Sequence, residues 1–106
     1  LPLMLHHSRQ GRLSLVRIAE LCAHNPAKIF NIQGKGFISP GMDADLTLVD
    51  LQSQVTLGKG HSRCGWSPFE GMKITGFPVG VVLQGQFAMQ EQTLIESPKG
   101  KQLLFQ

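Results

Sequence analysis

From Leu15 to Cys22 apolar residues recur three and four positions apart, and from Ile32 onward that period gives way to alternation and to short continuous apolar runs. The first pattern predicts a helix with Leu15, Ile18, Ala19 and Cys22 on one buried face, opened by the Ser14 hydroxyl as N-cap and ending near His24. Upstream, Pro2 suits the first turn of a short helix reaching about Gln10, with Leu3, Met4 and Leu5 apolar and Gly11 as its stop. Downstream, "NPAKIF" offers Asn25 as a cap and Pro26 as a first helical residue, which predicts a third helical turn carrying Ala27, Ile29 and Phe30 inward.

Glycines at 34, 36 and 41 mark the change from helices to strands. Phe37 and Ile38 read as a short strand before Pro40-Gly41, where proline fixes φ and glycine accepts the positive φ of a type II turn. "ADLTLVDL" follows with both faces mostly apolar, the pattern of a central strand. "QVTL", "MKITGF", "VGVVLQ" and "QFAMQ" read as up to four more strands, the last two joined by a hairpin at Gly85. "GKGHSRCGWSPFEG", residues 58 to 71, has four glycines, one proline and no period, so it reads as a loop. The chain thus divides into a helical stretch at 1–31, a β stretch at 32–91 and a polar tail at 92–106, whose apolar end, Leu103, Leu104 and Phe105, is expected to dock. The fold class is α+β.

With 106 residues the chain has the size of one small domain, so any catalytic claim needs strong local chemistry. Charged residues make up 16% and hydrophobic ones 42%, which leaves less polar surface than usual and points to surface meant to be covered. Lys and Arg exceed Asp and Glu by 10 to 7 without forming a run, and there is no Tyr, so a nucleic-acid footprint is not supported. No apolar run approaches the roughly 20 residues that span a bilayer. Two cysteines without dense spacing read as reduced thiols, which fits a cytoplasmic protein. "LPLMLHHSRQ" opens in apolar residues without an initiator Met, and the expectation is a piece of a longer chain.

Candidate chemistry is sparse. His6 and His7 are neighbours, which a helix turns about 100° apart, so they read as a solvated face rather than a ligand pair. His61 and Cys64 have a spacing found in zinc sites, but no second pair completes a tetrahedral shell. Cys64 with His61 and Glu70 has the makings of a nucleophile and base, yet all three sit in one glycine-rich loop and read as loop residues. Cys22 reads as a small core residue, and Trp66 and Phe69 as plugs for a core edge. Asp43 and Asp45 stand two apart and would share a strand face, as a metal-binding or proton-sharing pair would. Directly after a Pro-Gly turn, aspartates also accept backbone N–H bonds, and that turn-shaping role is the expected one. No catalytic, substrate-binding or metal residue is assigned.

In order along the chain, "LSLVRIAELCAHNPAKIFNI", "KGFISPGMDADLTLVDL" and "GWSPFEGMKITGFPVGVVLQGQFAM" resemble the C-terminal end of the cyclic amidohydrolases, and most closely the dihydroorotases. The resemblance runs from Leu1 to about Glu91 and continues more loosely through "SPKGKQLL". It implies a (β/α)₈ barrel enzyme whose metal ions, usually zinc, activate water to open or close a cyclic amide, interconverting carbamoyl aspartate and dihydroorotate in pyrimidine biosynthesis. The family's ligands are a His-x-His pair, a carboxylated Lys, two further His and an Asp, and none can be placed on this sequence. Residues 1–31 would then be helices closing the barrel, and 32–91 most of a small, mostly antiparallel β-sandwich. The expectation is a C-terminal part, not catalytic on its own and without zinc ligands. Its partner would be the remainder of the amidohydrolase chain, with self-association through exposed apolar surface, no nucleic acid, no membrane, and a small-molecule substrate only in the parent. The alternatives are a non-catalytic dihydroorotase-like scaffold, a related allantoinase or dihydropyrimidinase, and an independent β-domain with a ligand in the 61–71 loop.

Overall fold

The first helix of the computed structural model, which describes residues 1–95 and 100–106, is α1, Pro2–Arg9. Proline stands at its first turn, and the chain leaves it through Gly11, whose φ of 75° is the left-handed conformation that glycine adopts without a Cβ clash. Helix α2, Leu15–Ala19, starts as expected: the Ser14 Oγ accepts a 3.0 Å hydrogen bond from the Arg17 N–H.

The run does not end near His24. It widens into a π turn at Glu20–His24 and continues as α3, Asn25–Ile29. Asn25 has helical φ and ψ of −67° and −45°, and its N–H bonds the Glu20 carbonyl five residues back, so it is part of the helix and not a cap. Pro26 accounts for the widening: it has no N–H to give, and its ring would strike the carbonyl four residues earlier in a regular α-helix. Ala27 is buried, but Ile29 and Phe30 are 71% and 63% exposed, contrary to the expected inward face.

The strands β1 (Leu46–Thr56), β2 (Lys73–Leu83), β3 (Gln86–Gln90) and β4 (Thr93–Leu94) form one antiparallel sheet in the order β1-β2-β3-β4. The segments "ADLTLVDL" and "QVTL" lie in a single strand, β1, whose register against β2 shifts between Asp50 and Gln54. "MKITGF" and "VGVVLQ" are likewise one strand, β2. Pro78 is tolerated there because it sits at a bulge, where pairing jumps from Leu48–Gly80 to Val49–Pro78. Phe37 and Ile38 are not a strand; Phe37 lies in a bend and Ile38 in irregular chain between Gly36 and the turn at Ser39–Met42, which Gly41 closes with φ 89°. The hairpin at Gly85 is present, with Gln84 and Gly85 at φ 50° and 79° linking the paired Leu83 and Gln86.

Strand β1 is an edge strand, not the central one that its two apolar faces suggested, and Leu46, Leu48, Val49 and Leu51 are all exposed. Among the described residues the buried apolar side chains are Leu5 of α1, Ile18 of α2, Ala27 of α3 and Ile74 of β2. Helix α1 crosses β2 at Gly76, where a Cβ would come within 3.0 Å of the Leu5 Cβ, so the missing side chain is what lets helix and sheet meet. The tail docks through its backbone: Gln33 N–H bonds the Leu104 carbonyl at 2.8 Å, and Gln106 N–H bonds that of Asn31 at 3.0 Å. The side chains of Leu103, Leu104 and Phe105 stay exposed, and Ser97, Pro98 and Lys99 of the "SPKGKQLL" stretch lie outside the described residues.

Candidate functional site

Among the described residues a polar cluster is built by three segments that the fold brings together. Lys35, between two glycines after α3, places its Nζ 2.9 Å from Asp43 Oδ2 and also on Asp45 Oδ2. Asp45 uses its other oxygen to accept a 2.7 Å bond from the Gln84 N–H in the β2–β3 turn, and the Gly85 N–H bonds the Ala44 carbonyl at 3.0 Å. Asp43 is fixed from its backbone, where its N–H bonds the Gly34 carbonyl at 2.8 Å. The entry to β1 is thereby tied to the loop before it and to the hairpin beyond it.

This wiring sets the charges. The hydrogen bond accepted from Lys35, and then that from the Gln84 N–H, hold the Asp45 carboxyl below its ordinary value of 3.8. Bonds to Asp45 and then Asp43 raise the Lys35 ammonium above 10.5. A carboxylate kept ionised, with each oxygen already accepting a hydrogen bond, is a poor proton acceptor. Sequence reasoning singled out the two aspartates but not Lys35. Nothing in its local sequence marks it, because its two partners lie eight and ten residues further on.

The cluster predicts a pH profile. Asp45 contributes its full stability above 3.8 and loses it as pH falls through its lower folded value; Lys35 contributes fully below 10.5 and loses it as pH rises through its raised one. Asp45→Asn keeps an acceptor for Gln84 but removes the charge, and is expected to cost about 0.5–1 kcal/mol, against about 1–2 for Asp45→Ala, which removes both. Urea midpoints between pH 3 and 7 test this: the acid limb of the profile should flatten in the Asn variant.

Beside the cluster opens an apolar cleft of about 470 Å³, lined by Leu1, Leu5, Leu15, Ile18, Leu46 and Val49, with Lys35, Asp43 and Asp45 at its polar end. Cys22 also lines it; the thiol is exposed, with its Sγ 3.4 Å from the Met4 Sδ, and is not the core residue that its helical spacing implied. On the same helical run the His24 ring stacks on Phe37 with centroids 4.6 Å apart.

The remaining sequence candidates do not converge. His6 is half-buried and its Nδ1 accepts a 3.1 Å bond from the Thr75 N–H, so it joins α1 to β2 and is not simply solvated; His7 Nδ1 meets Arg12 at 3.1 Å. Trp66, at 61% exposure, and Phe69 lie open on the loop and plug no core edge. Cys64 bonds Ser62 Oγ at 2.7 Å and the Trp66 carbonyl at 3.4 Å; neither His61 nor Glu70 is a partner. The Ser62 hydrogen bond, more than that of Trp66, lowers the Cys64 thiol below 9.0. Ser62→Ala is therefore expected to slow alkylation of Cys64 by iodoacetamide at neutral pH, followed by peptide mass spectrometry, while labelling of Cys22 stays unchanged.

Geometry of this kind defines a structural unit: helices seated on an antiparallel sheet, with a charged junction that holds backbone in place. The sequence profile of the amidohydrolase family matches residues 1–88, and the chain belongs to that family. It is 34% identical over 105 residues to the dihydroorotase of Pyrococcus furiosus, covering 97% of this chain and 25% of that one. It is 38% identical over 106 residues to the L-hydantoinase of Paenarthrobacter aurescens, covering 95% of this chain and 23% of the relative. The solved L-hydantoinase (dihydropyrimidinase) of Arthrobacter aurescens superposes with a TM-score of 0.83 at 35% identity, over 91% of this chain and 22% of that one. The chain spans about a quarter of the length of the curated relatives it matches. Enzymes of this family are generally metal-dependent. Among the described residues no group of three or more His, Cys, Asp or Glu side chains could hold a metal ion, and the one carboxylate pair is occupied by Lys35, so the residues present do not fit that group.

Proposed function

We propose that this chain is the C-terminal part of a dihydroorotase-type cyclic amide hydrolase, which interconverts carbamoyl aspartate and dihydroorotate in the cytoplasm during pyrimidine biosynthesis. In this reading the helical stretch 1–31 closes a (β/α)₈ barrel, the stretch 32–91, its sheet completed by β4 at Thr93–Leu94, is part of a β-sandwich beside it, and the rest of 92–106 is a tail. Zinc and substrate are held by the remainder of the amidohydrolase chain, which is the partner of the apolar cleft and of the β1 edge. The contribution of the present residues is to support that fold, with self-association as the consequence when their apolar surface is left open.

The observation that carries the reading is the lopsided match: 97% of this chain against 25% of a dihydroorotase. Hydantoinase relatives and the "PGMDADLTLVD" segment support the wider class, cyclic amide hydrolysis, and "GWSPFEGMKITGFPV" followed by "LQGQ" favours the dihydroorotase branch.

The test is catalytic. The purified chain supplied with zinc is expected to leave dihydroorotate intact, read by the absorbance of the ring and by chromatography of carbamoyl aspartate. Turnover by the chain alone that disappears with a chelator and returns with metal would overturn the proposal.

A further inference from the structure

No further inference is drawn: the strongest candidate, the apolar cleft between the Leu15–Ile29 helical run and the outer edge of β1, is an unpartnered apolar face, and nothing among the described residues shows what covers it.

Discussion

Replacing Ile74 by alanine is expected to destabilise the folded chain by about 2–5 kcal/mol, enough to leave much of it unfolded at room temperature if its margin lies at the low end of the usual 5–15 kcal/mol. Ile74 is 2% exposed, the most buried large side chain described, and it lies in β2, which pairs with β1 on one side and β3 on the other. Truncation removes three carbons from water-free packing and leaves a cavity. Its walls include strands anchored by their own hydrogen bonds, so collapse is limited. Few other buried apolar side chains share the load: Leu5, Ile18 and Ala27 each come from a different helix. Urea unfolding followed by circular dichroism reads the loss, with Leu94→Ala as the control. Leu94 is 73% exposed, and its truncation should shift stability by less than about 0.5 kcal/mol. Equal shifts for the two variants would mean that Ile74 is not the centre of the core.

Where local chemistry decides a feature, the sequence was enough to read it. Ser14 caps α2 because its hydroxyl can reach the N–H three residues on, and Gly41 and Gly85 take the positive φ that their turns demand. Two kinds of feature were not legible. The first depends on what lies alongside. The alternation in "LTLVDL" records that both faces suit apolar surroundings, but not which neighbours supply them, and a strand expected in the middle of a sheet stands at its edge. The same holds for Ile29, Phe30, Trp66 and Cys22, whose apolar character is plain and whose exposure is not. The second kind has two local solutions. Asn25-Pro26 can open a new helix or pass through a π turn within an old one, and Pro78 can end a strand or ride on a bulge. At Pro78 the pairing with β1, distant in sequence, settles the choice. For the site, the aspartates were visible but the cation between them was not: Lys35 lies eight residues from Asp43 and ten from Asp45, and Gln84 lies 39 from Asp45. Only the folded turn makes them neighbours.

Gly36→Ala is expected to do comparable damage from outside the core. Gly36 has φ 91°, beyond the region that side chains adopt readily, and a Cβ built there lies 2.4 Å from the Ala27 Cβ and 3.0 Å from the Ala23 carbonyl oxygen. Neither obstacle can swing aside, since one is fixed to the helix backbone and the other is part of it. The loop must lift, and it takes two contacts with it: Lys35 from its pair of aspartates, and Phe37 from its stack on His24. Backbone strain of about 1–3 kcal/mol and overpacking of about 1–3 kcal/mol together predict a loss of about 2–6 kcal/mol. A double-mutant cycle separates the two terms. Ala27→Gly alone should cost about 1 kcal/mol through helix propensity. Combined with Gly36→Ala it should recover the overpacking part, a coupling of about 1–3 kcal/mol, while the φ strain remains. Losses that simply add would place the loop away from the helix and break the link between the helical run, the charged junction and the entry to β1.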